Sequence, residues 1–200
     1  MAAERTPKPT LTQRQAARRD WIVQAAMELA AEGGYDAVQM REVSARANVA
    51  LGTLYRYFSS KDQLLVAVMG HWAKELQSQI AARPLRGETA ADRVTEVLRR
   101  AARALQEAPE LTASLVTAMS SMSSDDPPAL AATREVYITV TELIRGALRP
   151  GEDLGDDVIR VLAMVWFAAL FARVRGWEDP RQMGDDLENA VRLLVHNGTR

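Results

Sequence analysis

The chain has 200 residues, 48% hydrophobic and 26% charged, with a formal net charge of −1, a composition that excludes wholesale disorder. It contains no cysteine, which rules out a disulfide framework, a thiolate metal site and a cysteine nucleophile. Charge is unevenly spread: the first 61 residues carry nine Lys or Arg against six Asp or Glu, a balance of +3, and the rest carries −4. A basic part that approaches phosphate is one reading of that asymmetry, and plain solvated surface is the other.

In chain order, residues 1–12, with Pro7 and Pro9, read as a mobile arm. Its Arg5 and Lys8, with Arg14, Arg18 and Arg19 beyond it, suit a minor groove or a row of phosphates, or else are terminal charge with no role. A first helix follows over residues 14–32, because Ile22, Ala25, Ala26 and Leu29 recur at i, i+3, i+4 and i+7. Gly33-Gly34 supplies a left-handed stop, after which Tyr35 packs back on that helix. Residues 39–47 form a short second helix with Met40, Val43 and Ala47 inward. It breaks at Asn48-Val49-Ala50-Leu51-Gly52, where Asn tolerates positive φ and Gly52 permits close backbone approach. A brief third helix covers 53–58. Ser60 and Gln63 have the spacing of a capping box that opens a fourth, striped by Leu64, Val68, Trp72, Leu76 and Ile80 and ended by Pro84 and Gly87.

Beyond Gly87 the pattern stays helical. Stripes run through Val94, Leu98, Ala101 and Leu105, then through Leu111, Leu115, Met119 and Met122, up to a Ser/Asp/Pro-rich loop at 120–128. A helix over 129–148 carries two stripes, one of Val136, Val140 and Leu143, the other of Leu130, Tyr137, Ile144 and Leu148. Residues 156–175 are apolar almost all round, and a last helix shows Leu187, Ala190, Val191, Leu194 and Val195 on one face. No segment alternates as a strand does, so the expected fold is all-α, with about nine helices and no internal repeat. The longest apolar run, 161–172, stops well short of the roughly 20 residues needed to cross a bilayer, so no membrane partner and a cytoplasmic address are expected.

Residues 38–61 have the build of a helix-turn-helix, whose second helix lies in the DNA major groove. Met40, Val43, Ala47, Val49, Leu54 and Phe58 can close a small core, leaving Gln39, Arg41, Thr53, Tyr55, Arg56 and Tyr57 outside. Arg can bridge guanine O6 and N7, Thr can touch a thymine methyl, and Tyr hydroxyls can donate to phosphates. By spacing alone this is equally an ordinary αα-hairpin.

The ordered, ungapped series Gly34-Tyr35-Asp36-Ala37, Arg41-Glu42-Val43, Ala47-Asn48-Val49, Gly52-Thr53-Leu54-Tyr55-Arg56-Tyr57-Phe58 and Ser60-Lys61-Asp62-Gln63-Leu64-Leu65 resembles the DNA-binding signature of the TetR family. The resemblance implies a domain of residues 13–60 that binds double-stranded operator DNA. A helical ligand-binding and dimerisation domain then takes up 61–200. It implies that Tyr57 and Lys61 hold phosphates and that Leu51, Gly52, Thr53, Tyr55 and Arg56 face the groove. The chain departs from the family at Val38 or Gln39, Asn48 and Ala50, so hydroxyl contacts at Gln39 and Ala50 are not expected. Leu51 stands where a basic residue is common. The run through 33–58 is similar, more narrowly, to the sterol-catabolism repressors of the family, which implies a hydrophobic effector such as a lipid- or steroid-derived acyl-CoA. In the family layout that effector lies near Trp72, Leu76, Leu115, Met119, Met122, Tyr137, Thr141 and Trp166, positions that otherwise read as helical core.

The last two helices carry more apolar surface than one protomer covers, so a homodimer through Val158, Val161, Val165, Leu187, Val191 and Leu194 is expected. Two-fold symmetry then sets the reading heads about 34–36 Å apart on a palindrome. An enzyme is not expected. His71 and His196 stand far apart, and no Ser-His-Asp spacing, P-loop or HExxH occurs. The pairs Asp125-Asp126, Asp156-Asp157 and Asp185-Asp186 sit at helix starts, where carboxylates meet the positive dipole end rather than a metal, and no cofactor is implied. Asn197-Gly198-Thr199 matches a glycosylation acceptor by chance. The remaining rival is a helical interaction module without specific DNA binding.

Overall fold

The computed structural model describes residues 11–121, 127–177 and 182–195. These form nine α-helices and no strand: α1 Leu11–Ala37, α2 Met40–Arg46, α3 Leu51–Tyr57, α4 Lys61–Ala81, α5 Ala90–Glu107, α6 Pro109–Ser121, α7 Pro127–Gly146, α8 Asp156–Val174 and α9 Gln182–Val195. The arm at 1–10, Met122, Asp125-Asp126, Pro180, His196 and the Asn197-Gly198-Thr199 tripeptide lie outside the described residues.

The regular part of α1 ends where its glycines stand. Gly33 and Gly34 leave helical geometry, with Gly34 at φ +71°, and a last turn carries the chain to Ala37. A Cβ on Gly34 would also come within 3.1 Å of the Glu110 carboxylate at the start of α6, so both conformation and space favour glycine there.

Helix starts differ in how they are satisfied. Gln39 and Ala50 precede α2 and α3 and give no side-chain cap, as expected where hydroxyls are missing. Ser60 accepts the Gln63 N–H at 3.1 Å, but the Gln63 side chain accepts from the Ser59 N–H at 2.7 Å, not from that of Ser60. The capping box therefore closes one residue early, on the backbone N–H of Ser59. A complete box that the sequence reading missed opens α5, where Thr89 and Asp92 serve each other's N–H groups at 3.1 and 3.0 Å. The Asp156-Asp157 pair lies in the first turn of α8, yet Gly155 is the cap and the aspartates pair instead with Arg145 and Arg160.

Two apolar clusters make up the core. The first joins Ile22 and Ala26 of α1, Val43 of α2, Leu54 of α3, Leu64, Leu65 and Val68 of α4, Leu111 and Leu115 of α6 and Val136 of α7. The second joins Leu76 and Ile80 of α4 to Val94 and Leu98 of α5, Ile144 of α7, Leu162 and Trp166 of α8 and Leu187 and Val191 of α9. A border at residue 60 therefore does not divide the core: α4 belongs to both clusters, and α6 packs along α1.

Arg93 is a buried charge that the sequence reading passed over. It donates to the carbonyls of Ala147 at 2.9 Å and Glu88 at 3.0 Å and pairs with Glu152, tying the start of α5 to the α7–α8 connection. The Arg149 backbone N–H and then Arg93 hold the Glu152 carboxyl below its usual range.

Candidate nucleic-acid interface and ligand cavity

The helix-turn-helix is built from a few apolar contacts. Val43 and Leu54 are wholly buried, and Phe58 nearly so, which fixes α2 and α3 against α1 and α4. Asn48 takes the left-handed conformation expected of it, at φ +51°, and the Val49 N–H then reaches back to the Ser44 carbonyl at 2.9 Å. This turn leaves one side of α3 in solvent.

On that side Gly52, Tyr55 and Arg56 are exposed and share a face at i, i+3 and i+4, flanked by half-buried Leu51 and Thr53. A Cβ on Gly52 would meet open space, so nothing within the chain uses that approach. Gln39 and Arg41 are exposed on the α2 side. Neither Arg41 nor Arg56 is held in an ion pair among the described residues, whereas Arg46 pairs with Glu32 at 2.7 Å. Two guanidinium groups thus stand beside α3 with their donors available. Arg19 of α1 lies 5.3 Å from the Phe58 ring centroid, which brings a third cation to the end of α3.

Tyr57 and Lys61 are less available than the sequence suggests. Tyr57 is half-buried against the first cluster. The Lys61 ammonium sits 3.5 Å from the Tyr35 ring centroid and donates to the Tyr35 carbonyl at 3.1 Å. The Tyr35 hydroxyl donates to Asp62 at 2.5 Å, and burial, with that bond, pushes its pKa up to about 12. This knot joins the end of α1 to the start of α4. Sequence reasoning missed it, since the partners are 26 and 27 positions apart. One of the three N–H donors of Lys61 is thereby engaged within the chain.

A second candidate site is a cavity of about 30 Å³ enclosed by α4 to α8. Trp72, Leu76, Leu115 and Trp166 line it, as the family layout implies, while Met119, Tyr137 and Thr141 do not. Tyr137 stacks on Phe167 with ring centroids 6.4 Å apart, and the Thr141 hydroxyl donates to the Ile138 carbonyl at 2.8 Å. The share of the lining that α7 supplies comes instead from Val136, Thr139, Val140 and Leu143. Met69, Thr112, Thr139 and Phe167 also line the cavity and were missed, being indistinguishable from core by periodicity. Leu76 further borders an open cleft of about 450 Å³ that carries Arg83, Arg100 and Arg103.

The outer faces of α8 and α9 differ in part from expectation. Val158, Val161, Val165 and Leu194 are half-buried, and Met164 is 53% exposed. Leu187 and Val191, by contrast, are buried in the protomer's own second cluster. They have no surface to offer a partner, because α9 turns that stripe toward α5 and α8.

Among the described residues no group of three or more His, Asp or Glu is placed to hold a metal, and no helix is long and apolar enough to cross a membrane. Two family models match: bacterial regulatory proteins of the tetR family over residues 22–68, and the tetracyclin repressor-like C-terminal domain over residues 87–194. The chain belongs to the TetR family. This TetR-family chain is 35% identical over 185 residues to the HTH-type transcriptional repressor KstR of Rhodococcus jostii, covering 92% of the chain and 85% of KstR. A TetR transcriptional regulator from Rhodococcus sp. RHA1, known from its crystal structure, has a TM-score of 0.73 at 34% identity, covering 92% of this chain and 98% of that one. Thermus thermophilus FadR, a TetR-family repressor crystallised with lauroyl-CoA, has a TM-score of 0.65 at 22% identity, over 91% of this chain and 95% of that one. The chain is a TetR-type transcriptional repressor, and such regulators are not enzymes.

Proposed function

We propose that the chain is a homodimeric repressor that grips a palindromic operator with α3 of each protomer and is released by a hydrophobic effector of the acyl-CoA kind. The observation that carries the operator reading is the exposed face of Gly52, Tyr55 and Arg56 on a helix fixed by wholly buried Leu54. Arg56 suits bidentate recognition of guanine, Thr53 and Leu51 suit thymine methyls, and Gln39, Arg41, Tyr57 and Lys61 suit phosphates. The dimer reading rests on the apolar outer face of α8, where Val161, Met164 and Val165 share one side.

The effector reading rests on the apolar cavity and on the acyl-CoA bound by the FadR relative. At about 30 Å³ the cavity has room for little more than water, whereas ligand pockets hold roughly 300–1,000 Å³. Entry of a bulky acyl body therefore has to part the walls. α4 is one of those walls and also carries the reading-head core, so an effector that favours the parted state disfavours the DNA-binding one. The cleft beyond Leu76, with Arg83 and Arg103, suits the phosphates of such a thioester.

In vitro selection from random duplex DNA tests the operator reading. The expected product is a two-fold palindrome with half-sites about one helical turn apart. Failure to enrich any sequence contradicts it.

A further inference from the structure

Lys61 is held by neutral groups although carboxylates stand near it. Its ammonium lies 3.5 Å from the Tyr35 ring centroid and donates to the Tyr35 carbonyl at 3.1 Å. Asp62, its neighbour in the chain, and Asp36 both carry carboxylates close enough to act on the Tyr35 phenol, yet Lys61 forms no ion pair among the described residues. The Asp62 carboxylate is engaged elsewhere, accepting from the Tyr35 hydroxyl at 2.5 Å. One residue therefore holds the cation with its ring and carbonyl and the anion with its hydroxyl. Arg46 is treated differently, since Glu32 compensates its charge at 2.7 Å. A ring face and a carbonyl fix an ammonium without cancelling its charge. A lysine stem also loses rotamer freedom when it grips a ligand, and one that is already ordered loses less.

We infer that Tyr35 is a positioning residue for DNA binding: it presents the Lys61 ammonium, charged and pre-ordered, to a backbone phosphate and keeps the Asp62 carboxylate off it. This rests on the operator reading above and deepens it, because the phosphate grip then belongs to a pair of residues rather than to Lys61 alone. Tyr35 need not touch DNA; it acts through Lys61, whose remaining N–H donors are free for phosphate oxygens.

The test is a double-mutant cycle on the full chain, titrated by anisotropy at stepped salt against a duplex from immediately upstream of its own gene, with urea unfolding of every variant alongside. Lys61→Met is expected to lower the slope of logarithmic affinity against logarithmic salt concentration by about one per bound chain. Tyr35→Leu is expected to weaken binding about fivefold, but less than about twofold in the Lys61→Met background. Tyr35→Phe keeps the ring and frees the Asp62 carboxylate, so it is expected to weaken binding about threefold and serves if Tyr35→Leu does not fold. Asp62→Asn is expected to recover that loss without recovering the stability lost with the hydroxyl, and to gain less than about 1.5-fold where Tyr35 is intact. Equal weakening by Tyr35→Leu in both backgrounds, tighter binding by that variant, or an Asp62→Asn gain that is the same with and without the hydroxyl overturns the positioning role and leaves the operator reading standing. So does a salt slope that Lys61→Met leaves unchanged. Binding by the unaltered chain no tighter than to unrelated DNA overturns the operator reading and the inference with it.

Discussion

The base choice and phosphate grip proposed above fall on different side chains. Arg56 is exposed and has no ion-pair partner among the described residues, while Lys61 is engaged by the Tyr35 ring and carbonyl. Arg56→Ala is expected to lose about 1–3 kcal/mol of discrimination at one base pair, read from titrations against a panel of single-base operator variants. Lys61→Ala is expected to weaken every variant in that panel alike. The Tyr35 hydroxyl gives a separate signature. Its pKa rises on folding from 10.0 to about 12, so the stability it contributes is complete below about pH 10 and is lost as pH rises toward about 12. Urea unfolding across that range should show the loss, and Tyr35→Phe should remove that part of the pH dependence while costing about 1 kcal/mol at neutral pH.

Among the elements, α5 has the complete cap, and Thr89→Ala is expected to destabilise the fold by about 1 kcal/mol, measurable as a lower urea midpoint at unchanged m-value. Helices α2 and α3 have no such cap and depend on Val43, Leu54 and Phe58 for their position. That division explains what could be read beforehand. Helical periodicity, the positive φ of Gly34 and Asn48 and the exposure of Arg56 follow from near neighbours in the chain. The choice of stripe that each helix turns inward does not, since it depends on crossing angles. Thus Leu187 and Val191 were assigned to a dimer face yet fill the protomer's core, and Tyr137 and Thr141 were assigned to a cavity that α7 lines with Val136, Thr139, Val140 and Leu143 instead. The Tyr35, Asp62 and Lys61 knot was equally out of reach, because only the fold brings α1 to the start of α4.

At the scale of the whole molecule, α4 links the two clusters, and α8 presents the face proposed to pair two copies. Met164→Glu with Ala168→Glu, both exposed on one side of α8, should leave each protomer folded and give a monomer by light scattering at concentrations where the unaltered chain is a dimer. Such a monomer should hold one half-site weakly. The operator claim meets its most direct measurement in anisotropy titration of the full chain, at stepped salt concentrations, against DNA from immediately upstream of its own gene. The expected result is a specific complex of two chains per site whose logarithmic affinity falls linearly with the logarithm of salt concentration. Binding no tighter than to unrelated DNA of equal length would contradict it.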